Sequence, residues 1–178
     1  MKKSHAIVLE GIFCILASVG LSQLYFWHLP QGGSFSFEMA PLWIFSYRRG
    51  WMHGSIAGVV AGILTAYFDG DIFSPMQCFL DYPLAYACAG IAGAGMKNSF
   101  VLSIVAILSR MTCHVVSGVL FFGQYAPVGQ NVVVYSIFYN GSFLIPSMAA
   151  ALAVVWLFMF IRKDGPWRFP GAGLLASL

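Results

Sequence analysis

The chain is predicted to be an all-α integral membrane protein, a six-transmembrane-helix bundle with both termini cytoplasmic. Three observations lead there. Apolar residues make up 60% of the 178 positions and charged ones 8%, with a mean hydropathy of +0.81. A soluble domain carries roughly 25% charge and could not keep this much apolar surface from water. At about 20 residues per crossing, the length and the spacing of the apolar runs suit six helices in a single transmembrane domain, 1–178. Finally, every Lys and Arg except Arg110 falls at Lys2, Lys3, Arg48, Arg49, Lys97, Arg162, Lys163 or Arg168, while stretches 28–36, 69–74 and 123–134 contain none. Short translocated loops avoid positive charge, so the cationic ends face the cytoplasm. The net charge of +3 then reflects anchors against anionic lipid, not a nucleic-acid surface.

Helix 1 is expected over about 6–27. Its apolar run is too long for a signal-peptide core and lacks a small-x-small cleavage site. Cys14, Ser18 and Ser22 form a row of small residues at four-residue spacing, suited either to internal packing or to contact with another membrane subunit. The four cysteines lie in apolar segments without paired spacing and read as small packing residues. Leu29-Pro30-Gln31-Gly32-Gly33-Ser34 cannot hold a regular helix. Helix 2, about 36–47, is too short to span, because twelve residues cover roughly 18 Å of a hydrocarbon core about 30 Å thick. Loop 28–36 must fill the remaining depth, and irregular backbone there is tolerated only when buried in protein or lining a cavity. A cavity is therefore expected beneath that loop.

Helix 3, about 51–68, follows Gly50 and carries Gly54, Gly58 and Gly62, a smooth face for close helix packing. Helix 4 is expected at about 75–95, helix 5 at 99–122, and helix 6 at 132–162, interrupted by Pro146.

Ionisable groups at membrane depth are expensive and point to function. Glu38 opens helix 2, where it either caps the helix or faces a ligand. Asp81 follows Gln77 by one turn, and Tyr82 and Tyr86 lie on a neighbouring face. Asp81 either meets a ligand or pairs with Arg110. Arg110 and His114, four apart, stack on one face of helix 5. Arg110 reads as structural, and His114 either as a ligand residue or as a core histidine bonded to a backbone carbonyl. Helix 6 begins with Tyr135, Tyr139 and Asn140. Tyr135 and Asn140 are separated by about 140° on a regular helix and reach one ligand only if the helix start is irregular. Asp69 and Asp71 read as solvated. Carboxylates among aromatics suit a small aromatic cation, with charge neutralised by the acid and the rings held by stacking and cation–π contact. Gly90-Ile91-Ala92-Gly93-Ala94-Gly95-Met96-Lys97 resembles a phosphate-binding loop, but Met96 stands where the lysine must be. No metalloprotease or nucleophile-elbow motif occurs. The chain reads as a non-enzyme without cofactor or metal.

Taken together, Pro30-Gln31-Gly32-Gly33-Ser34, Arg48-Arg49-Gly50, Leu80-Asp81-Tyr82-Pro83-Leu84-Ala85, Arg110 with His114-Val115-Val116-Ser117-Gly118, Tyr125-Ala126-Pro127 and Tyr135-Ser136 through Tyr139-Asn140 resemble the ThiT/YuaJ family. These are thiamine-specific S components of energy-coupling factor (ECF) transporters. The resemblance implies a bacterial plasma-membrane protein with a thiamine pocket near the outer face, covered by the loop between helices 1 and 2. It also implies a transmembrane coupling subunit and two ATPases as partners, contacted through the small residues of helix 1, here Cys14 and Ser18 in place of an alanine-rich face. By motif the ligand residues are Asp81, Tyr82, His114, Tyr135 and Asn140, with Glu38 added. Phe122 stands where family members often place a tryptophan. Thiamine would enter from outside, be enclosed by loop 28–36, and leave inward when the partner module acts. The competing readings are an S component for a related pyrimidine or cationic precursor, and a solitary proton-coupled thiamine carrier.

Overall fold

The computed structural model describes residues 2–24, 26–69, 72–95 and 99–161. Asp71, Lys97, Arg162, Lys163 and Arg168 lie outside the described residues, as do the side chains of Lys2, Lys3 and Asp69. Helix α1 (Lys2–Ser22) leads into a small antiparallel hairpin of β1 (Trp27–His28) and β2 (Ser34–Phe35), followed by α2 (Met39–Arg49) and α3 (Trp51–Asp69). Next comes a composite helical rod, α4, built from Pro75–Phe79 (α), Leu80–Leu84 (π), Ala85–Ala87 (α) and Cys88–Gly93 (3-10). Helix α5 (Ser99–Phe121), a short turn at Gly123–Tyr125 and α6 (Val132–Ile161) complete the described chain. By length and composition, four segments can cross a membrane: Ser4–Ser22, Trp51–Phe68, Phe100–Phe121 and Val132–Phe158.

Several boundaries differ from the sequence expectation, each for a physical reason. Helix α1 stops at Ser22 rather than near 27, because Trp27 and His28 are committed to β pairing with Phe35 and Ser34. The hairpin satisfies backbone groups that irregular chain would leave unpaired in apolar surroundings. Its turn is closed by Leu29 N–H donating to Gly33 O at 2.6 Å and by Gly32 at φ 88°, a conformation that favours glycine. Phe26, Phe35 and Phe37 pack edge to face beneath it at 5.7–6.2 Å. Helix α2 starts three residues late, at Met39, and most of its side chains are buried.

The composite character of α4 follows from Pro83, which has no N–H to give an α-helical ladder. The wider turn Leu80–Leu84 absorbs the defect, as π turns often do at functional positions. Proline at 146, by contrast, does not interrupt α6, which runs continuously through it. Pro146 costs the Ser142 carbonyl its helical donor, a loss that packed neighbours in a membrane bundle tolerate, and Ser147 Oγ donates to the next carbonyl, Phe143 O, at 2.6 Å.

Along the glycine row of α3 the neighbouring helices approach closely. A Cβ on Gly54 would meet Ser46 and the backbone of Gly90. One on Gly58 would meet the Tyr86 carbonyl, and one on Gly62 the Tyr82–Pro83 peptide. At the positively charged end, Glu10 of α1 binds both Arg48 and Arg49 of α2.

The small-residue row of α1 does not form an outer contact face. Cys14 is 6% exposed and Ser18 fully buried, and Ser18 Oγ donates to Glu38 O at 2.7 Å. Small side chains are needed there because α1 packs closely on its own bundle. The surface that α1 presents outward carries Leu9, Phe13 and Leu16 instead. Assigning Cys14 and Ser18 to partner contact is therefore corrected to internal packing.

Candidate functional site

Beneath the hairpin lies a cavity of about 260 Å³. Its roof is the turn 30–34 with Ser36, and its walls come from the start of α2, the middle of α4, the second half of α5 and the first half of α6. Glu38, Asp81, Tyr82, His114, Phe122, Tyr135 and Asn140 all line it, as do Tyr86 and Arg110. Its size, near the lower end of the roughly 300–1,000 Å³ of small-molecule sites, suits a ligand of about two small rings.

Two polar groups meet at its floor. Asp81, raised on the π turn, accepts hydrogen bonds from Gln77 Nε2 (2.8 Å) and Ser117 Oγ (2.7 Å) on one oxygen. Its other oxygen faces His114 Nδ1 at 3.1 Å. Glu38 occupies the N-cap of α2 but makes no side-chain cap. Its carboxylate pairs with Arg110 (2.5 Å) and accepts from Tyr86 O–H (2.6 Å). The Arg110 guanidinium also lies 4.6 Å over the Tyr86 ring, a cation–π geometry. Arg110 thus pairs with Glu38 and not with Asp81.

His114 links the two groups. Arg110 Nε donates to its Nε2 at 3.4 Å, and arginine can only donate. Nε2 is therefore the acceptor, which places the proton of a neutral imidazole on Nδ1, facing Asp81. Among the described residues Asp81 is met by Gln77, Ser117 and His114 and by no arginine or lysine. Glu38 is paired with Arg110, so Asp81 is the carboxylate of the lining that no arginine or lysine pairs.

The aromatic wall is more extensive than the expected set. Tyr135, Tyr139, Phe143 and Ser147 follow at four-residue intervals on α6 and all line the cavity. That periodicity was legible in the sequence, but a stripe of this kind equally describes ordinary core packing. Tyr139 and Phe143 are 5.9 Å apart, and Phe143 also stands edge-on to His114 at 6.3 Å. Phe122 lies just past the end of α5, non-helical at φ −118°, and packs on Phe73 at 5.5 Å. Tyr135 and Asn140 reach the same cavity although α6 is regular from Val132, because the long tyrosine side chain spans the angular offset. Asn140 is tied in by Nδ2 donating to Ser136 O (2.9 Å) and His114 O (3.3 Å). The stripe also anchors the roof: Gly33 N–H donates to Tyr139 Oη at 3.2 Å and Ser36 N–H to Ser147 Oγ at 3.4 Å.

Fold and cavity together define a helical membrane protein whose described residues enclose a solute-sized chamber. The family described as "Thiamine transporter protein (Thia_YuaJ)" matches residues 7–165. The chain belongs to this thiamine transporter family. It is 35% identical over 153 residues to the thiamine transporter ThiT of Bacillus subtilis (strain 168), with 75% of this chain and 79% of that protein covered. With ThiT of Lacticaseibacillus paracasei it shares 27% identity over 191 residues, 92% of this chain and 94% of the relative. The solved structure of ThiT from Listeria monocytogenes superposes with a TM-score of 0.77 at 24% identity, over 88% of this chain and 94% of that one, and shares the fold. These relatives are transporters, not enzymes.

Proposed function

We propose that the chain is the thiamine-binding S component of an ECF-type vitamin transporter in the bacterial plasma membrane. In this reading it forms a single six-helix transmembrane domain, in which the hairpin completes the crossing of the short α2, with both termini in the cytoplasm. It captures thiamine from outside under the 28–36 hairpin and releases it inward when a transmembrane coupling subunit and two ATPases act. The observation that carries the reading is the uncompensated Asp81 carboxylate in a roofed, aromatic cavity. Asp81 balances the thiazolium charge, and Tyr82, Phe122 and Tyr135 flank the rings. His114 and Asn140 hydrogen-bond the aminopyrimidine or the hydroxyl. Glu38 stands behind them, engaged by Arg110 and Tyr86.

Calorimetric titration of the detergent-purified protein with thiamine tests binding directly, since the cavity is lined by Tyr and Phe and not by Trp. Tight, saturable binding without any ATPase is expected; a folded sample that releases no heat rejects thiamine as the ligand. In cells, uptake should require the ATPases. Uptake indifferent to their loss but abolished by an uncoupler would instead identify a solitary proton-coupled carrier.

The roof contact gives a kinetic prediction. Tyr139→Phe deletes the acceptor of the Gly33 N–H, and one net hydrogen bond is worth about 0.5–1.5 kcal/mol. Thiamine dissociation, followed by stopped-flow chase, is expected to accelerate roughly two- to tenfold, with the association rate little changed. An unaltered dissociation rate would show that this bond does not hold the roof closed.

A further inference from the structure

The cavity holds two carboxylates, and we infer that Arg110 is a specificity-determining residue that sets the charge of the site. By neutralising Glu38 it leaves Asp81 as the single uncompensated negative charge, so that the cavity selects a monocation. The inference rests on reading the chamber as the site of a cationic solute.

Arg110 is 5% exposed and stays protonated at any accessible pH. It reaches from α5 to the first residue before α2, with the Tyr86 ring as a platform and Glu38 as its ion-pair partner. Glu38 is held from three other directions by its own protein. Tyr86 O–H engages its second oxygen, Ser18 Oγ its backbone carbonyl, and the following Met39 begins α2. Among the described residues no arginine or lysine faces Asp81, whose partners are Gln77, Ser117 and His114. Without Arg110 the chamber would hold two buried anions. Without Glu38 it would hold a fixed cation beside the ligand's own, a like-charge juxtaposition that is costly at low dielectric. Glu38 therefore acts on the ligand through Arg110 and not by contact, and Arg110 in turn orients the His114 tautomer that faces Asp81.

The test compares thiamine with 3-deazathiamine, whose neutral thiophene replaces the thiazolium, by calorimetry on wild type, Glu38→Gln and the double variant Glu38→Gln/Arg110→Gln. Wild type is expected to favour the cation strongly. In Glu38→Gln that preference should fall by more than about tenfold, because the site is now neutral overall. In the double variant it should return to within about threefold of wild type, although two polar partners are gone, because the net charge is again minus one. A double variant that stays at the Glu38→Gln level overturns the inference and makes Glu38 a direct ligand of the cation. A merely structural role for the pair would weaken both ligands alike and leave their ratio in place, which also overturns it. If wild type binds thiamine without preferring it to the isostere, charge selection fails while the thiamine reading stands. If wild type binds no thiamine, both fail. Should the double variant not give a monodisperse detergent-solubilised peak, formate added to Glu38→Ala provides the same test with Arg110 intact. Recovery of the preference for thiamine over the neutral isostere supports the inference, and recovery of both ligands alike, or of neither, overturns it.

Discussion

Changing Asp81 to Asn is expected to weaken thiamine binding by about 2–5 kcal/mol, a factor of roughly 30 to a few thousand, while the protein remains folded. The substitution keeps the side-chain shape and removes the one carboxylate among the described lining residues that no arginine or lysine pairs. Part of the loss arises within the protein. The carboxylate accepts from Gln77 and Ser117 and faces His114 Nδ1, and an amide can accept on only one of its two terminal atoms. One of these donors must turn away or face an N–H. That local cost falls on any ligand, whereas the charge term falls on the cation alone. Titrating the variant with thiamine and with its neutral isostere separates the two. Undiminished thiamine affinity in a folded Asp81→Asn sample would remove this carboxylate from the site.

The second large effect is expected at a residue that does not line the cavity. A Cβ on Gly62 of α3 would lie 2.6 Å from the Tyr82 carbonyl oxygen and 2.9 Å from Pro83 N. Both obstacles are backbone in the π turn that carries Asp81, so no side-chain rotation relieves the clash. Gly62→Ala must therefore separate α3 from α4 or displace the turn. Overpacking of this kind costs about 1–3 kcal/mol in stability. Because a binding constellation must be held to within about 0.5 Å, thiamine affinity is expected to fall by more than about tenfold as well. Gly20→Ala is the control, since nothing lies within 4 Å of a Cβ there, and it should leave both melting temperature and affinity in place. A Gly62→Ala protein that melts earlier but binds thiamine as tightly as wild type would show that the site tolerates movement of the π turn.

The two substitutions also show how unevenly the site could be read from the chain. Asp81, His114 and Asn140 stand out in sequence because polar groups at membrane depth are rare. Gly62 stands out too, but only as one of four glycines at regular spacing. Which peptide each glycine meets depends on the depth at which α3 crosses α4. Arg110 was equally visible, yet its partner was not. Asp81 was the carboxylate considered for it, while the ion pair forms with Glu38, 72 residues away. The row Cys14, Ser18 and Ser22 is plain in the sequence, but small residues serve a buried seam and an outer contact equally well. Only the azimuth of α1 in the bundle turns it inward.

What the sequence determined by itself is the solvent, the approximate number and order of the helices, and the set of polar residues that need a reason to exist inside a membrane. These are sums of transfer free energies along the chain and depend on nothing distant. What the tertiary structure decided is which way each face points and which charges cancel. The pairing of Arg110 with Glu38 joins segments 72 residues apart, and the hairpin at Trp27–Phe35 and the π turn under Asp81, though local in sequence, pack against distant segments through Tyr139 and Gly62. Their outcome is set by the rotation and depth of several helices packed at once. A charge at membrane depth announces itself locally, but whether it is neutralised is a property of its neighbours in space.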